Sequence, residues 1–292
     1  MRHRALPAGL LACALLAPAV CTADGRHILW TVAGESNTVY LLGSLHVLRP
    51  QDGSLLSVAD AAYADAEQLV MEIDMDEALA NPVGLVQAMQ AEAMLPEGDS
   101  LRALLAEDYA RVAERTREAG FDLALLDRFA PWFVAVTLMQ LELENHGFSA
   151  ELGVEQTLTR RAVTDRKPIT GLETAAEQFA TFGRLPLSQQ KRMLLMTLEE
   201  TDQLETEVDR LLTAWRTGDV ETLAATLSEE YERFPELYGP LTENRNRAWM
   251  ARLEDLLDDD IDYLVVVGAL HLVGRNSVVD LLEQRGYDVE QQ

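Results

Sequence analysis

The sequence predicts an α/β fold, a central mixed sheet with two related halves and a helical insertion between them. Three observations carry that prediction. Apolar, β-branched runs suited to buried strands lie near the start of the chain, at residues 38–45, and near its end, at 263–267. Each run leads into a Gly-x-Leu-His tetrapeptide, Gly43-Ser44-Leu45-His46 and Gly268-Ala269-Leu270-His271. The long stretch between them repeats its apolar residues at the helical period.

In chain order, residues 27–33 and 38–45 flank Gly34-Glu35-Ser36-Asn37, a turn composition, and read as a β-hairpin. A helix is expected over 57–67 and a short strand over 68–74, with Glu72 as one carboxylate inside an apolar run. Strand, helix, strand predicts a parallel pairing of 38–45 with 68–74 through a crossover. Leu101, Leu104, Leu105, Tyr109 and Val112 keep the helical period, as do Leu204, Val208, Leu211, Leu212 and Trp215. A further helix over 129–144 begins near Pro131, where proline is tolerated in a first turn. Residues 167–173 form a short strand and turn. The helix 243–257 places Trp249, Met250, Leu253, Leu256 and Leu257 on one face, and 263–267, 277–285 and 287–289 follow as strand, helix and strand. With no linker rich in Gly, Pro or Ser, residues 24–292 are expected to form one domain.

The N-terminus has the form of a signal peptide over residues 1–23: a basic start, Met1-Arg2-His3-Arg4, an apolar run over 5–20, and small residues before a cut after Ala23. The expected location is periplasmic or secreted. The rival is a lipid or uncleaved signal anchor, for which Cys21 or Cys13 would be the acceptor, although Val20 suits a lipidation site poorly. Both cysteines lie in this leader, so the mature chain has no disulfide, thiolate metal site or cysteine nucleophile, and must rest on its packed core.

Acidic residues outnumber basic ones 49 to 24, for a net charge of −25, and the leader takes Arg2 and Arg4 with it. Nucleic acid and anionic membrane surfaces are disfavoured as partners, because both require clustered Lys and Arg. No integral membrane span is expected in the mature chain, and the oligomeric state is left open.

A lone Gly-x-x-His is more often a strand-end histidine bonded to backbone than a functional group. Here two of the four mature histidines stand in matching strand-end contexts, where α/β sheets bind ligands. Glu72 between Met71 and Ile73 is costly to bury without a cation or donor, so it reads either as a site carboxylate or as the partner of an arginine. His46, His271 and Glu72 could hold a divalent metal with positions open for water and substrate. Glu173 is a second candidate carboxylate, or a residue favoured at a helix N-terminus. Arg245 and Asn246 extend the apolar face of their helix and point inward, either to clamp an oxyanion or to pair with Glu72 or Glu155. His146 suits a helix C-terminus, and the run Asp258–Asp262 a solvated turn. There is no Gly-x-Ser-x-Gly elbow, phosphate loop, His-Glu-x-x-His or Gly-x-Gly-x-x-Gly.

Taken in order, Tyr40-Leu-Leu-Gly-Ser-Leu-His46, Leu69-Val-Met-Glu-Ile-Asp74, Leu152-Gly-Val-Glu-Gln156, Gly171-Leu-Glu-Thr174, Arg245-Asn246 and Val266-Val-Gly-Ala-Leu-His-Leu-Val-Gly274 resemble the TraB/GumN family, which is related to the TIKI metalloproteases. The resemblance spans almost the whole mature chain. It implies a metal-dependent hydrolase, most readily a peptidase acting on a peptide or protein, with His46, His271, Glu72 and Glu173 as candidate ligands of manganese, cobalt or zinc. It also implies Glu72, Arg245 and Asn246 as catalytic groups. The alternative is a non-catalytic protein of the same fold that sequesters haem or a peptide. Glu155 stands where many relatives have Asp.

Overall fold

The computed structural model describes residues 25–292, so the leader lies outside the described residues. Its six strands are β1 (Leu29–Ala33), β2 (Thr38–Ser44), β3 (Gln68–Met71), β4 (Ile169–Gly171), β5 (Tyr263–Gly268) and β6 (Val289–Gln291). They form one mixed sheet in the order β4-β3-β5-β2-β1-β6. The expected hairpin is present: β1 and β2 pair antiparallel from Leu29↔Leu42 to Ala33↔Thr38. The strands β4, β3, β5 and β2 run parallel, and their carboxyl ends form one continuous edge.

One expected pairing is replaced. β2 and β3 are parallel but do not touch, because β5 lies between them and bonds to both. The physical reason is the composition of β5. Tyr263 to Val267 are all at most 4% exposed, and a strand that apolar is stabilised by covering both edges as well as both faces. The motif strands are therefore direct neighbours in the sheet. Their register pairs Gly43 with Val267 and Ser44 with Gly268, so the two glycines are offset by one residue.

The helices are α1 (Asp60–Asp65), α2 (Met75–Ala80), α3 (Pro82–Ala93), α4 (Leu101–Leu105), α5 (Tyr109–Glu118), α6 (Pro131–Asn145) and α7 (Val154–Asp165), then α8 (Ala175–Gly183), α9 (Leu187–Glu200), α10 (Leu204–Thr217), α11 (Val220–Arg233), α12 (Pro235–Tyr238), α13 (Asn244–Leu257) and α14 (Val278–Gln284). The helical part of the chain thus comes in two blocks around β4. α1 is shorter than the expected 57–67 helix because a tighter 3₁₀ segment, Pro50–Ala59, precedes it. The fully buried Asp52 fixes that segment: its carboxylate accepts the Arg49 backbone N–H at 3.0 Å and pairs with the Arg49 and Arg216 guanidinium groups.

One apolar core surrounds the sheet and takes in Val154, Leu158 and Ala162 of α7, Leu212 and Trp215 of α10, and Trp249, Met250, Leu253, Leu256 and Leu257 of α13. A second core lies within the helical part, where Leu101, Leu105, Val112, Trp132 and Leu138 meet Leu194 of α9. Among the described residues no helix is long and apolar enough to cross a membrane.

α7 is seated directly on the end of β2. Val154 N–H donates to Leu45 O at 3.1 Å, and a Cβ at Gly153 would lie 2.1 Å from the His46 carbonyl oxygen. Only a residue without a side chain permits that approach. Gly153→Ala is therefore expected to cost about 1–3 kcal/mol by overpacking against backbone, measured as a lower urea midpoint with an unchanged slope.

Candidate active site

The carboxyl ends of all four parallel strands contribute to one site. Beyond β2 stands His46, beyond β3 Glu72, beyond β4 Glu173, and beyond β5 His271, each one to three residues past the last paired residue. α7 adds Glu155 in its first turn, and α13 adds Arg245 and Asn246 in its first turn. The strands stop here because their chains turn outward to present these groups, at the edge where α/β sheets leave a crevice.

Each histidine has its Nδ1 fixed by a different partner. His46 Nδ1 lies 2.6 Å from Glu155 Oε1, which also accepts the buried Ser44 hydroxyl at 2.5 Å. His271 Nδ1 lies 2.6 Å from Asn246 Oδ1, and Asn246 Nδ2 donates to Asn276 O at 2.9 Å. That second bond sets the amide orientation, so Asn246 accepts and His271 Nδ1 carries the proton. In both rings Nε2 is left to face the centre.

Arg245 joins the carboxylates. Its Nη2 donates to Glu72 Oε2 at 2.6 Å and to Glu173 Oε1 at 2.5 Å, its Nε donates to Glu173 Oε1 at 3.0 Å, and its Nη1 to His271 Nε2 at 3.2 Å. Glu72 Oε1 faces away from Arg245, accepts the Gly268 N–H at 2.8 Å and lies 3.9 Å from His271 Nε2. Glu173 also accepts from Trp249 Nε1 at 3.2 Å, and the Trp249 ring packs 4.7 Å from that of His271. Gln178 of α8 bridges Glu72 and Glu173.

Gly268 makes room at the centre. A Cβ there would sit 3.3 Å from Glu72 Oε1, 3.5 Å from the His271 ring and 3.7 Å from His46 Nε2, in the space these three groups share. Gly43 faces the other side of the sheet, against Ile28.

The histidines differ in charge because their partners do. The Glu155 carboxylate raises the His46 pKa to about 9, although its side chain is 68% exposed. Burial lowers that of His271 to about 4, where Asn246 offers no charge to oppose it. Burial pushes the Glu72 carboxyl up, but the positive field around it and the Gly268 N–H prevail and hold it down at about 2. With His271 neutral at pH 7, we assign that field chiefly to Arg245. Glu155 is likewise lowered against its burial, by the His46 charge and the Ser44 hydroxyl.

The sequence-predicted residues His46, Glu72, Glu173, Arg245, Asn246 and His271 are thus brought together. Of the two readings open for Arg245, the ion pair with Glu72 is present. Asn246 is turned from the centre, with both amide ends engaged behind His271. Glu155, expected as a possible partner of Arg245 or Asn246, pairs with His46 instead, and Ser44, Gln178 and Trp249 are site groups that the sequence does not single out. The signal for Ser44 was its place inside the first motif; Gln178, a whole turn into the next helix, left none. His146 caps α6, its Nδ1 2.8 Å from Glu142 O.

As they stand, no three His, Cys, Asp or Glu side chains among the described residues are spaced to close around a metal ion. The donor set nevertheless suits one: two imidazole Nε2 atoms with Nδ1 oriented by a carboxylate or amide, and one carboxylate oxygen, meet over a glycine without a Cβ. The Arg245 Nη1 bond to His271 Nε2 occupies the lone pair that a metal would need.

The chain belongs to the TraB/PrgY/gumN family, whose pattern it matches over residues 28–291. It is 25% identical over 269 residues to the uncharacterized protein YbaP of Shigella flexneri and to YbaP of Escherichia coli K12, covering 88% of this chain and 94% of each relative. It is 22% identical to the metalloprotease TIKI2 of Xenopus tropicalis, covering 91% of this chain and 60% of that protein. No solved structure matches significantly.

Two expectations follow for the metal-free protein. By NMR, His46 titrates near pH 9 and His271 near pH 4, and Glu155→Gln lowers the former toward its ordinary value of 6.5. Because folded His271 binds fewer protons than the unfolded chain between about pH 4 and 6.5, its contribution to stability rises with pH across that window and is lost on acidification. Second, Gly268→Ala adds a methyl that crowds Glu72 Oε1 at 3.3 Å and meets the His271 ring and His46 Nε2 at ordinary contact distances, so it should cost about 1–2 kcal/mol while filling the shared space, read as a modestly lowered melt with lost activity.

Proposed function

We propose that the protein is an exported metal-dependent hydrolase acting on peptide bonds. The observation that carries this reading is the convergence of His46 Nε2, His271 Nε2 and Glu72 Oε1 over Gly268, with each imidazole oriented from behind. Membership of a family with a relative named a metalloprotease supports the reaction class. The N-terminal leader supports export.

His46, His271 and Glu72 would hold the ion. Bound there, a divalent metal polarises a carbonyl and acidifies a water molecule. Glu155 keeps His46 oriented through Nδ1, and Asn246 keeps His271 in the tautomer that offers Nε2; both are positioning residues. Glu173 and Trp249 hold Arg245, whose guanidinium is the cation nearest the carboxylate edge. There it can stabilise a developing oxyanion once its bond to His271 is released.

A second reading is favoured by Arg245 itself, which already supplies a positive charge to Glu72 and His271. In that case hydrolysis runs without metal, with cationic His46 as acid and neutral His271 as base, since pKa values pushed apart define such a pair.

Elemental analysis and chelation separate the two. On the metal reading the purified protein carries a divalent ion that His46→Ala, His271→Ala loses, and chelation lowers peptide cleavage to background, restored by adding metal back. Full activity after thorough chelation would establish the metal-free route.

A further inference from the structure

The site runs along the strand ends from Glu173, beyond β4, to His46, beyond β2, with β3 and β5 between. Its two ends open into clefts that differ in the number of charged groups lining them. At the Glu173 end a mixed cleft of about 400 Å³ has the charged groups Glu173, Glu177, Arg184 and Arg245 beside Leu172 and Trp249. At the His46 end a cleft of about 430 Å³ is lined mainly by apolar groups of α6 and α9, among them Val136, Met139, Leu143, Met193 and Met196. Both volumes are within the range of clefts that take small ligands or side chains.

We propose that the cleft at His46 is a specificity subsite that receives a large apolar side chain, such as Leu, Met or Phe, of an extended peptide, next to the bond under attack. This rests on the hydrolase reading above. His46 belongs both to the cleft wall and to the converging groups, so whatever fills the cleft abuts the reacting centre. Val136 is 40% exposed on the cleft wall, an apolar surface that a solvated helix face does not require. The three methionines, Met139, Met193 and Met196, are flexible and polarizable, and adapt to apolar side chains of differing shape while still excluding water. A charged side chain would lose its hydration against these apolar walls, and His46 and Glu200 are the charged groups among the lining residues. An extended chain laid across the strand ends therefore puts an apolar residue over His46 and directs its polar residues toward Glu173 and Arg245.

The test uses the full mature protein and a positional set of internally quenched peptides in which Leu, Phe, Ala, Asp or Lys fills each position in turn, with cleavage sites read by mass spectrometry. At one position beside the scissile bond, Leu and Phe should exceed Ala in kcat/KM by about tenfold or more, and Asp and Lys should be worst. Val136→Glu, on an exposed wall position, should abolish the preference, bringing the Leu and Phe peptides down to the level of the Ala peptide, with its melting curve checking the fold. Cleavage with no apolar preference, or a preference untouched by Val136→Glu and Met139→Ala together, would overturn the subsite and leave the hydrolase reading standing. If no peptide is cleaved, the hydrolase reading fails and fluorescence anisotropy of the same labelled peptides decides the cleft. Tighter binding of the Leu peptide than the Ala peptide, lost in Val136→Glu, supports it; equal or absent binding overturns it.

Discussion

One guanidinium ties the edge of the sheet together. Arg245, from the first turn of α13, bonds to Glu72 beyond β3, Glu173 beyond β4 and His271 beyond β5. All three ion-pair partners are nearly buried, with side-chain exposures of 12% for Arg245 and 10% for each carboxylate. Such charges are tolerable only when every one is met, and removing a single member leaves the others desolvated and uncompensated. The planar fork of arginine can serve both carboxylates and an imidazole at once, which a lysine ammonium cannot do in the same geometry. Nη1 also reaches Leu241 O, in the π-helical turn Gly239–Glu243 that leads into α13, so the entry of that helix is fixed by the same side chain.

The two Gly-x-Leu-His motifs look alike in sequence and act differently in space. Their one-residue offset in register turns the glycines to opposite faces of the sheet, since side-chain direction alternates along a strand. Gly43 lets β2 approach Ile28, and its carbonyl accepts the buried Trp215 Nε1 at 2.6 Å. Gly268 opens the site. The chain leaves the sheet after Ser44 in the first motif and after Gly268 in the second, and both histidines return to the same crevice. Matching sequence motifs here mark a shared location without a shared local geometry.

The strands were legible because continuous apolar runs such as Tyr263 to Val267 have few alternatives, and the strand-end residues His46, Glu72 and His271 were legible for the same reason. Sheet order was not. Whether β5 inserts between β2 and β3 depends on contacts nearly two hundred residues apart, and no local pattern records them. The inward face of α13 was readable from its period, which located Arg245 and Asn246. Their partners were not readable, since a periodicity gives a direction and not what lies there; Asn246 meets the back of His271 and not the centre. Glu155 acquires its role only when α7 docks on β2, through a close approach at Gly153 that the sequence marks with a glycine alone.

The opposite protonation of the two histidines follows from what stands behind each ring. A carboxylate behind His46 favours the imidazolium, and an amide behind His271 leaves burial to favour the neutral form. With Glu72, Glu155 and Glu173 facing Arg245 and a protonated His46, the cluster carries one net negative charge in a partly dry crevice. If His46 gives up its Nε2 proton, the deficit becomes two, the charge of a divalent cation. On the proposed reading, proton and metal compete for the same nitrogen, and Glu155 sets the terms of that competition. The carboxylate that raises the basicity of His46 thereby strengthens it as a ligand and also strengthens its hold on a proton. The one structural element that governs both is the seating of α7 on the end of β2.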